Sequence, residues 1–105
     1  MNKKELIKQV SRRTDLSQKQ ANEALNIMLE TMGKTLAAGG KVTLVDFGTF
    51  GVEYRKARKG RNPKTNVEIP IEEKIVVKFK PGKELANKVN SPQLIKKLKK
   101  TTLFF

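Results

Sequence analysis

Residues 41–79 read KVTLVDFGTFGVEYRKARKGRNPKTNVEIPIEEKIVVKF. The β-branched run at 41–45 predicts a strand, and Asp46-Phe47-Gly48 predicts the turn after it. Two further strands are predicted because their apolar residues alternate: Phe50, Val52 and Tyr54 on the outgoing strand, then Ile75, Val77 and Phe79 on the returning one. We expect an antiparallel sheet whose aromatic inner face is sealed onto helices, with core residues Phe47, Phe50 and Phe79.

The segment between these strands, residues 55–74, predicts a ribbon that leaves the body and comes back. Six basic residues and no acid fall between Arg55 and Lys64, and strand pairing would point their side chains alternately to two faces. Both faces of the ribbon are therefore expected to be cationic. The tip is predicted near residues 62–66, where Pro63 fixes φ and Asn66 suits a turn position with positive φ.

Capping patterns predict two helices before the strands. The first begins after Asn2 and the second after Ser17, and each has a capping-box residue three positions later. The second helix keeps an apolar stripe and ends at Gly39-Gly40. Ile27 falls off that stripe, so we interpret it as part of a second buried side, such as a subunit contact.

The segment after the returning strand predicts a short third helix and a tail. Pro81-Gly82 starts the helix without a side-chain cap, and Asn90-Ser91-Pro92 ends it. The tail has apolar residues at helical spacing among four lysines and ends in two phenylalanines: Leu94, Ile95 and Leu98, then Leu103, Phe104 and Phe105. We therefore expect one domain, residues 1–90, with its arm at 55–74, and a basic C-terminal extension, residues 91–105.

Composition argues against an enzyme. The 105 residues include neither histidine nor cysteine, so the usual carriers of acid–base, nucleophilic and metal-ligand chemistry are missing. We expect no catalytic residue, no metal and no cofactor. The start enters a helical pattern directly without a signal-peptide pattern, and no apolar run approaches the length of a membrane span, so an intracellular location is expected.

The net charge of +13 is unevenly distributed along the chain. Residues 1–54 hold 8 basic and 6 acidic residues, whereas residues 55–105 hold 15 and 4. The second half is therefore suited to a polyanion. A two-stranded cationic ribbon can enter a DNA groove and neutralise phosphates. Pro63 at its tip is either a turn residue or a wedge between base pairs, and the residues alone leave both interpretations open.

Three stretches resemble the bacterial histone-like DNA-binding protein HU and its relative integration host factor: residues 41–50, 57–65 and 79–83, which read KVTLVDFGTF, ARKGRNPKT and FKPGK. The resemblance implies an α+β fold in an intertwined homodimer, with a helical base, three-stranded antiparallel sheets forming a saddle, and two long β-ribbon arms. It also implies largely sequence-independent binding and bending of double-stranded DNA, with the arms in the minor groove and Pro63 intercalating. The preferred DNA would be bent, nicked or gapped.

The resemblance and the basic ribbon together give the expected DNA contacts. On the body they are Lys3, Gly48, Lys80 and Lys83. On the arm and its approaches they are Arg55, Lys56, Arg58, Lys59, Arg61, Asn62, Pro63, Lys64, Lys74 and Lys78.

Three features depart from the HU pattern. Asp46 stands where the family usually has glycine, which puts an acid near the expected phosphate path and weakens the predicted body contact. Asn66 replaces the usual glycine of the tip, at little cost if its φ is positive. The tail after Asn90 has no family counterpart.

Alternative functions remain at this stage. The residues of the returning strand also fit a sequence-preferring DNA bender like integration host factor, and a basic arm also suits RNA. The arm lacks an aromatic residue for stacking on RNA bases, and the tail is too short for a convincing membrane helix, so we expect no membrane partner. We expect nucleoid compaction in the cytoplasm, on the bacterial nucleoid or, alternatively, a plastid nucleoid.

Overall fold

The computed structural model describes residues 1–101 and shows an α+β fold, as predicted. The elements in chain order are α1 (Lys3–Arg12), α2 (Gln18–Ala37), β1 (Val42–Leu44), β2 (Gly48–Arg55), β3 (Arg58–Arg61), β4 (Glu68–Ile71), β5 (Lys74–Pro81), α3 (Lys83–Val89) and α4 (Pro92–Thr101). They form two compact units, a helical unit of residues 1–38 and a sheet unit from Gly39 onward. The predicted end of the tail, residues 103–105, lies outside the described residues.

The helical unit begins at the predicted caps. The Asn2 side chain accepts a hydrogen bond from the backbone amide of Glu5 at 2.9 Å. Ser17 and Gln20 form a reciprocal capping box at 3.1 and 3.0 Å, which satisfies amides that have no partner within the helix. The chain leaves α2 through Gly39, whose φ of 84° is easily reached only without a Cβ.

The sheet unit contains an antiparallel three-stranded sheet in the order β1-β2-β5. Its register pairs Phe50 with Phe79 and Val52 with Val77, so the alternating residues share one side, as the sequence predicted. We call this side the apolar sheet face; its residues are Val42, Phe50, Val52, Tyr54, Ile75, Val77 and Phe79. The opposite side, the polar sheet face, carries Thr43, Thr49, Glu53, Arg55, Lys74, Val76, Lys78 and Lys80.

The β1–β2 turn is tighter than the sequence indicated. The strand expected to reach Val45 ends at Leu44, because the amide of Phe47 donates to the Leu44 carbonyl at 3.0 Å. Asp46 adopts a φ of 67° at the centre of this turn. Aspartate tolerates this left-handed conformation better than most residues, which explains how it can replace glycine here.

Two helices complete the sheet unit. Gly82 begins α3 without a side-chain cap, as predicted, and its amide donates to the Phe47 carbonyl at 2.8 Å. The tail continues as a helix, because Ser91 caps α4 by accepting from the amide of Leu94 at 3.2 Å. Within the described residues, no helix has both the length and the apolarity to cross a membrane.

A single copy of the chain leaves its large apolar side chains poorly covered. In the described part of the chain, Ala21 and Gly48 are buried and no large apolar side chain is. On the apolar sheet face Ile75 is 69% exposed and Val77 61% exposed, and on α2 Ile27 is 63% exposed. Apolar side chains exposed to this extent are typical of an interaction surface and not of a stable monomer.

Candidate nucleic-acid interface

The arm is a separate two-stranded sheet, formed by β3 and β4. Arg58 is paired with Ile71 and Arg61 with Glu68. The arm does not continue the ladder of the larger sheet, since the pairing of β2 with β5 stops at Arg55 and Lys74. Residues 56–57 and 72–73 form an unpaired joint between the two sheets.

The two faces of the arm differ, which corrects the expectation that both are simply cationic. Lys59 and Arg61 lie on one face, whereas Arg58 shares the other with Gly60, Ile69 and Ile71. This second face is largely apolar because both isoleucines of the Ile-Pro-Ile return fall on it. A Cβ on Gly60 would lie 2.6 Å from the Cδ1 atom of Ile71, so the glycine lets the isoleucine pack across the ribbon.

Asn62 organises the tip of the arm. Its amide donates to the Val67 carbonyl at 3.0 Å, and its carbonyl accepts from the amide of Asn66 at 2.8 Å. Its side-chain Oδ1 accepts from the amide of Lys64 at 2.9 Å. Asn66 has the predicted positive φ, 58°, and accepts from Arg61 Nη1 at 3.2 Å.

Pro63 occupies the exposed end of this hydrogen-bonded tip. The bonds of the tip are made by the residues around it, so the ring is presented on an ordered turn. This position satisfies both the turn interpretation and the wedge interpretation of Pro63.

An ion-pair cluster lies on the polar sheet face. The carboxylate of Glu53 is 3.0 Å from Lys78 Nζ and 3.4 Å from Arg55 Nε. The hydrogen bond from Lys78 is the largest cause that lowers the pKa of Glu53, and Arg55 adds to it. Because this pKa is lowered, the ion pairs are present at neutral pH and are lost as the pH falls through the lowered value. Two predicted DNA contacts, Arg55 and Lys78, are therefore partly neutralised by a carboxylate that the sequence analysis did not consider.

On the apolar sheet face, Tyr54 donates a hydrogen bond to Glu73. That bond is the largest cause that raises the pKa of Tyr54. It links the end of β2 to the joint at the base of the arm.

Lys41 is a basic residue that the sequence analysis missed. It lines a shallow depression of about 710 Å³ together with Thr49, Lys78 and Lys80. The sequence around Lys41, just before β1, does not indicate a basic cluster, because only the pairing of β1, β2 and β5 brings Lys41, Lys78 and Lys80 together. The depression therefore brings three lysines together, of which Lys78 is paired with Glu53.

Gly48 has a packing role that its expected phosphate contact did not suggest. The residue is buried, and an added Cβ would lie 2.6 Å from two ring atoms of Phe79 and 2.7 Å from the Lys80 carbonyl. The Phe79 ring also contacts Phe50 and Phe47, with centroid distances of 4.7 and 5.5 Å. Because glycine has no Cβ, it leaves room at this position for the cluster of Phe47, Phe50 and Phe79.

The remaining predicted contacts are exposed. Lys3 belongs to the helical unit and donates to Asn26 Oδ1, whereas Lys83 opens α3 in the sheet unit. The exposed cations of the arm, its approaches and the sheet are Arg55, Lys56, Arg58, Lys59, Arg61, Lys64, Lys74, Lys78 and Lys80.

Known proteins match this architecture across most of the chain. The family model described as Bacterial DNA-binding protein matches residues 1–90. The DNA-binding protein HU-1 of Halalkalibacterium halodurans is 48% identical over 86% of this chain and 100% of its own length. Integration host factor subunit beta of Photobacterium profundum is 46% identical over 87% of this chain and 96% of its own length.

Solved structures of HU proteins also match this chain in fold. The Anabaena HU–DNA cocrystal structure has a TM-score of 0.80 at 44% identity, over 88% of this chain and all of that one. HU from Thermotoga maritima has a TM-score of 0.62 at 37% identity, over 86% of this chain and all of that one. The fold and its cationic arm thus define a class of architectural DNA-binding proteins rather than enzymes. The chain belongs to the bacterial DNA-binding protein family that includes HU and integration host factor.

Proposed function

We propose that this protein binds and bends double-stranded DNA with little sequence specificity and so compacts and organises a nucleoid. The observation that carries the proposal is the arm, a hydrogen-bonded ribbon with exposed cations and Pro63 at its end. The Anabaena relative, whose fold is shared, was crystallised with DNA. We place the protein on the bacterial nucleoid in the cytoplasm, since the matching relatives are bacterial.

The working unit is a homodimer with two arms. The apolar sheet face and Ile27 are exposed in one copy, and a second copy can cover both by the same contacts in reverse. A single copy leaves many of its large apolar side chains exposed and so has little core of its own. Two arms on one dimer can hold a duplex from both sides.

The chemistry of binding is phosphate neutralisation. Lysine and arginine side chains displace the cations condensed on DNA, so affinity arises largely from released counterions and falls steeply with salt. Each arm lies in the minor groove. One face of the arm presents Lys59 and Arg61, and the opposite face presents Arg58. Lys41, Lys78 and Lys80 supply a further cationic surface on the body.

Pro63 converts binding into bending. Smoothly bending a site of ~20–30 base pairs by 40–90° costs about 1–6 kcal/mol. A flat apolar ring inserted at one base step replaces part of this smooth bend by a local kink. The ordered tip holds the ring in place for that insertion.

Sequence-preferring bending, as in integration host factor, is the second candidate. The observation in its favour is that the subunit beta of Photobacterium profundum is nearly as similar to this chain as HU-1 is. RNA binding is less favoured, because the arm offers no aromatic side chain for stacking.

The proposal is tested by electrophoretic binding of the full chain to linear, nicked and pre-bent duplexes and to double-stranded RNA of the same length. Nicked and pre-bent DNA should bind most tightly, and unrelated DNA sequences should bind alike.

Arg58→Ala or Arg61→Ala should weaken binding equally on all sequences, whereas the matched control Arg12→Ala, a charge loss on α1, should change it less. Preference for RNA, or strong preference for one DNA sequence, would contradict the proposal.

A further inference from the structure

The tail helix α4 is an addition that the relatives described above do not share. The family model ends at residue 90, and HU-1 of Halalkalibacterium halodurans is spanned completely by 90 matched residues. The tail, residues 91–105, contains four lysines and no acidic residue. Nothing about DNA binding in the relatives therefore explains why this chain carries a capped fourth helix.

An apolar groove of about 510 Å³ lies between α4, α3 and the end of β5. Its lining includes Phe79, Pro81, Leu85, Val89, Ile95 and Leu98. Ile95 is 52% exposed and Val89 53% exposed, so one copy of the chain leaves the groove half covered. Phosphates and solvated lysines cannot cover such a surface, because covering it requires apolar atoms.

The groove is continuous with the apolar sheet face. Phe79 belongs to both surfaces, since it is paired with Phe50 on the sheet and also lines the groove. The proposed second copy that covers the sheet face therefore reaches the edge of the groove as well.

The helical unit provides a surface that complements the groove. Ile27 of α2 is exposed and falls off the main apolar stripe of the helix. Glu23 lies one turn before Ile27 and so shares its side of the helix, whereas Glu30, one turn after it, is paired with Lys34. The acidic side chain of Glu23 beside Ile27 is opposite in charge to the lysines of α4.

We propose that α4 is a subunit-contact helix, whose apolar groove receives the helical unit of a second copy through the side of α2 that carries Ile27. This inference rests on the proposed homodimer and adds an element to it. The lysines of α4 meet Glu23 at the rim, where opposite charges favour the correct orientation more than they add affinity.

The test is a sedimentation dilution series of the full chain that measures the dissociation constant of the dimer. Ile95→Ser should raise that constant about 10- to 100-fold, because each of two symmetric contacts loses part of an isoleucine's burial. Lys96→Gln on the same helix keeps the apolar groove and should change the constant much less. An unchanged constant for Ile95→Ser would overturn the proposal.

A double-substitution cycle keeps the inference testable even if Ile95→Ser disturbs α4 locally. Ile27→Ser alone should also weaken the dimer, and the two substitutions together should weaken it by less than the product of their separate effects, since both remove one contact. Strictly multiplicative effects of Ile95→Ser and Ile27→Ser would refute contact between the groove of α4 and the Ile27 side of α2.

The outcomes also separate this inference from the proposed function. A parent chain that is monomeric at every concentration would refute the homodimer itself. A dimeric parent whose dissociation constant is unaffected by Ile95→Ser, but whose DNA affinity falls, would assign α4 to DNA and overturn only the inference. DNA affinity is therefore measured for each variant at concentrations where the dimer persists.

Discussion

A substitution at Pro63 distinguishes the proposed bending of DNA from phosphate binding alone. Pro63→Ala keeps the cations and the hydrogen bonds of Asn62 that close the tip. Binding to linear duplex should therefore fall modestly and bending should fall more, because only the wedge is lost. Nicked DNA has less stacking to lose, so the variant should keep more of its affinity there.

Ring closure of short DNA fragments measures this bending directly. Pro70→Ala is the matched control, since Pro70 lies on the same arm opposite Lys59 and away from the tip. Equal ring closure by Pro63→Ala and the parent protein would return Pro63 to the role of a turn residue.

Gly48 tests packing rather than binding. Gly48→Ala should lower the free energy of unfolding by about 1–3 kcal/mol, as expected for overpacking, because the methyl group would meet the Phe79 ring at 2.6 Å. Gly51→Ala on the same strand is the control, since nothing lies within 4 Å of its Cβ position. Urea unfolding measures both variants, and equal stability would show that the ring moves aside freely.

At the level of elements, Glu53 should limit the affinity of the polar sheet face for DNA. Glu53→Gln removes the carboxylate that pairs with Lys78 and Arg55, so both cations become available to phosphates. Affinity should rise at neutral pH, and the salt dependence should steepen by about one contact, a slope change of roughly −0.9.

Glu30→Gln controls for the change in net charge, since it breaks a similar exposed pair with Lys34 on α2. Titration of a duplex at several salt concentrations measures both variants. Equal gains for the two would trace the effect to overall charge rather than to this cluster.

The sequence predicted those elements whose signals are local. The capping box of Ser17, the alternation on β2 and the positive φ of Asn66 each depend on a few neighbouring residues, and the structure confirms them. The apolar face of the arm and the neutralisation of Lys78 were missed, because they depend on which residues strand pairing sets opposite each other. The end of β1 was placed one residue too late, since the left-handed conformation of Asp46 tightens the turn.

The whole molecule should sediment at twice the 11.9 kDa of the chain, at about micromolar concentration, because one copy leaves the apolar sheet face open. Val77→Asp should dissociate it. The side chain is 61% exposed in a single copy, so the charge is tolerated there but is costly once a second copy covers it. A parent particle of one chain mass would contradict the dimer.

The unpaired joint at residues 56–57 and 72–73 has a mechanical consequence. Because no ladder hydrogen bond between described strands crosses it, a swing of the arm at this joint, as a lever, would leave the pairing in both sheets intact. The lever itself stays stiff, since its own ladder and closed tip hold its shape. On the proposed function, a stiff lever on such a pivot would let one fixed body follow DNA grooves of different width and direction, so that adaptability to many DNA sequences would reside in the four residues of the joint.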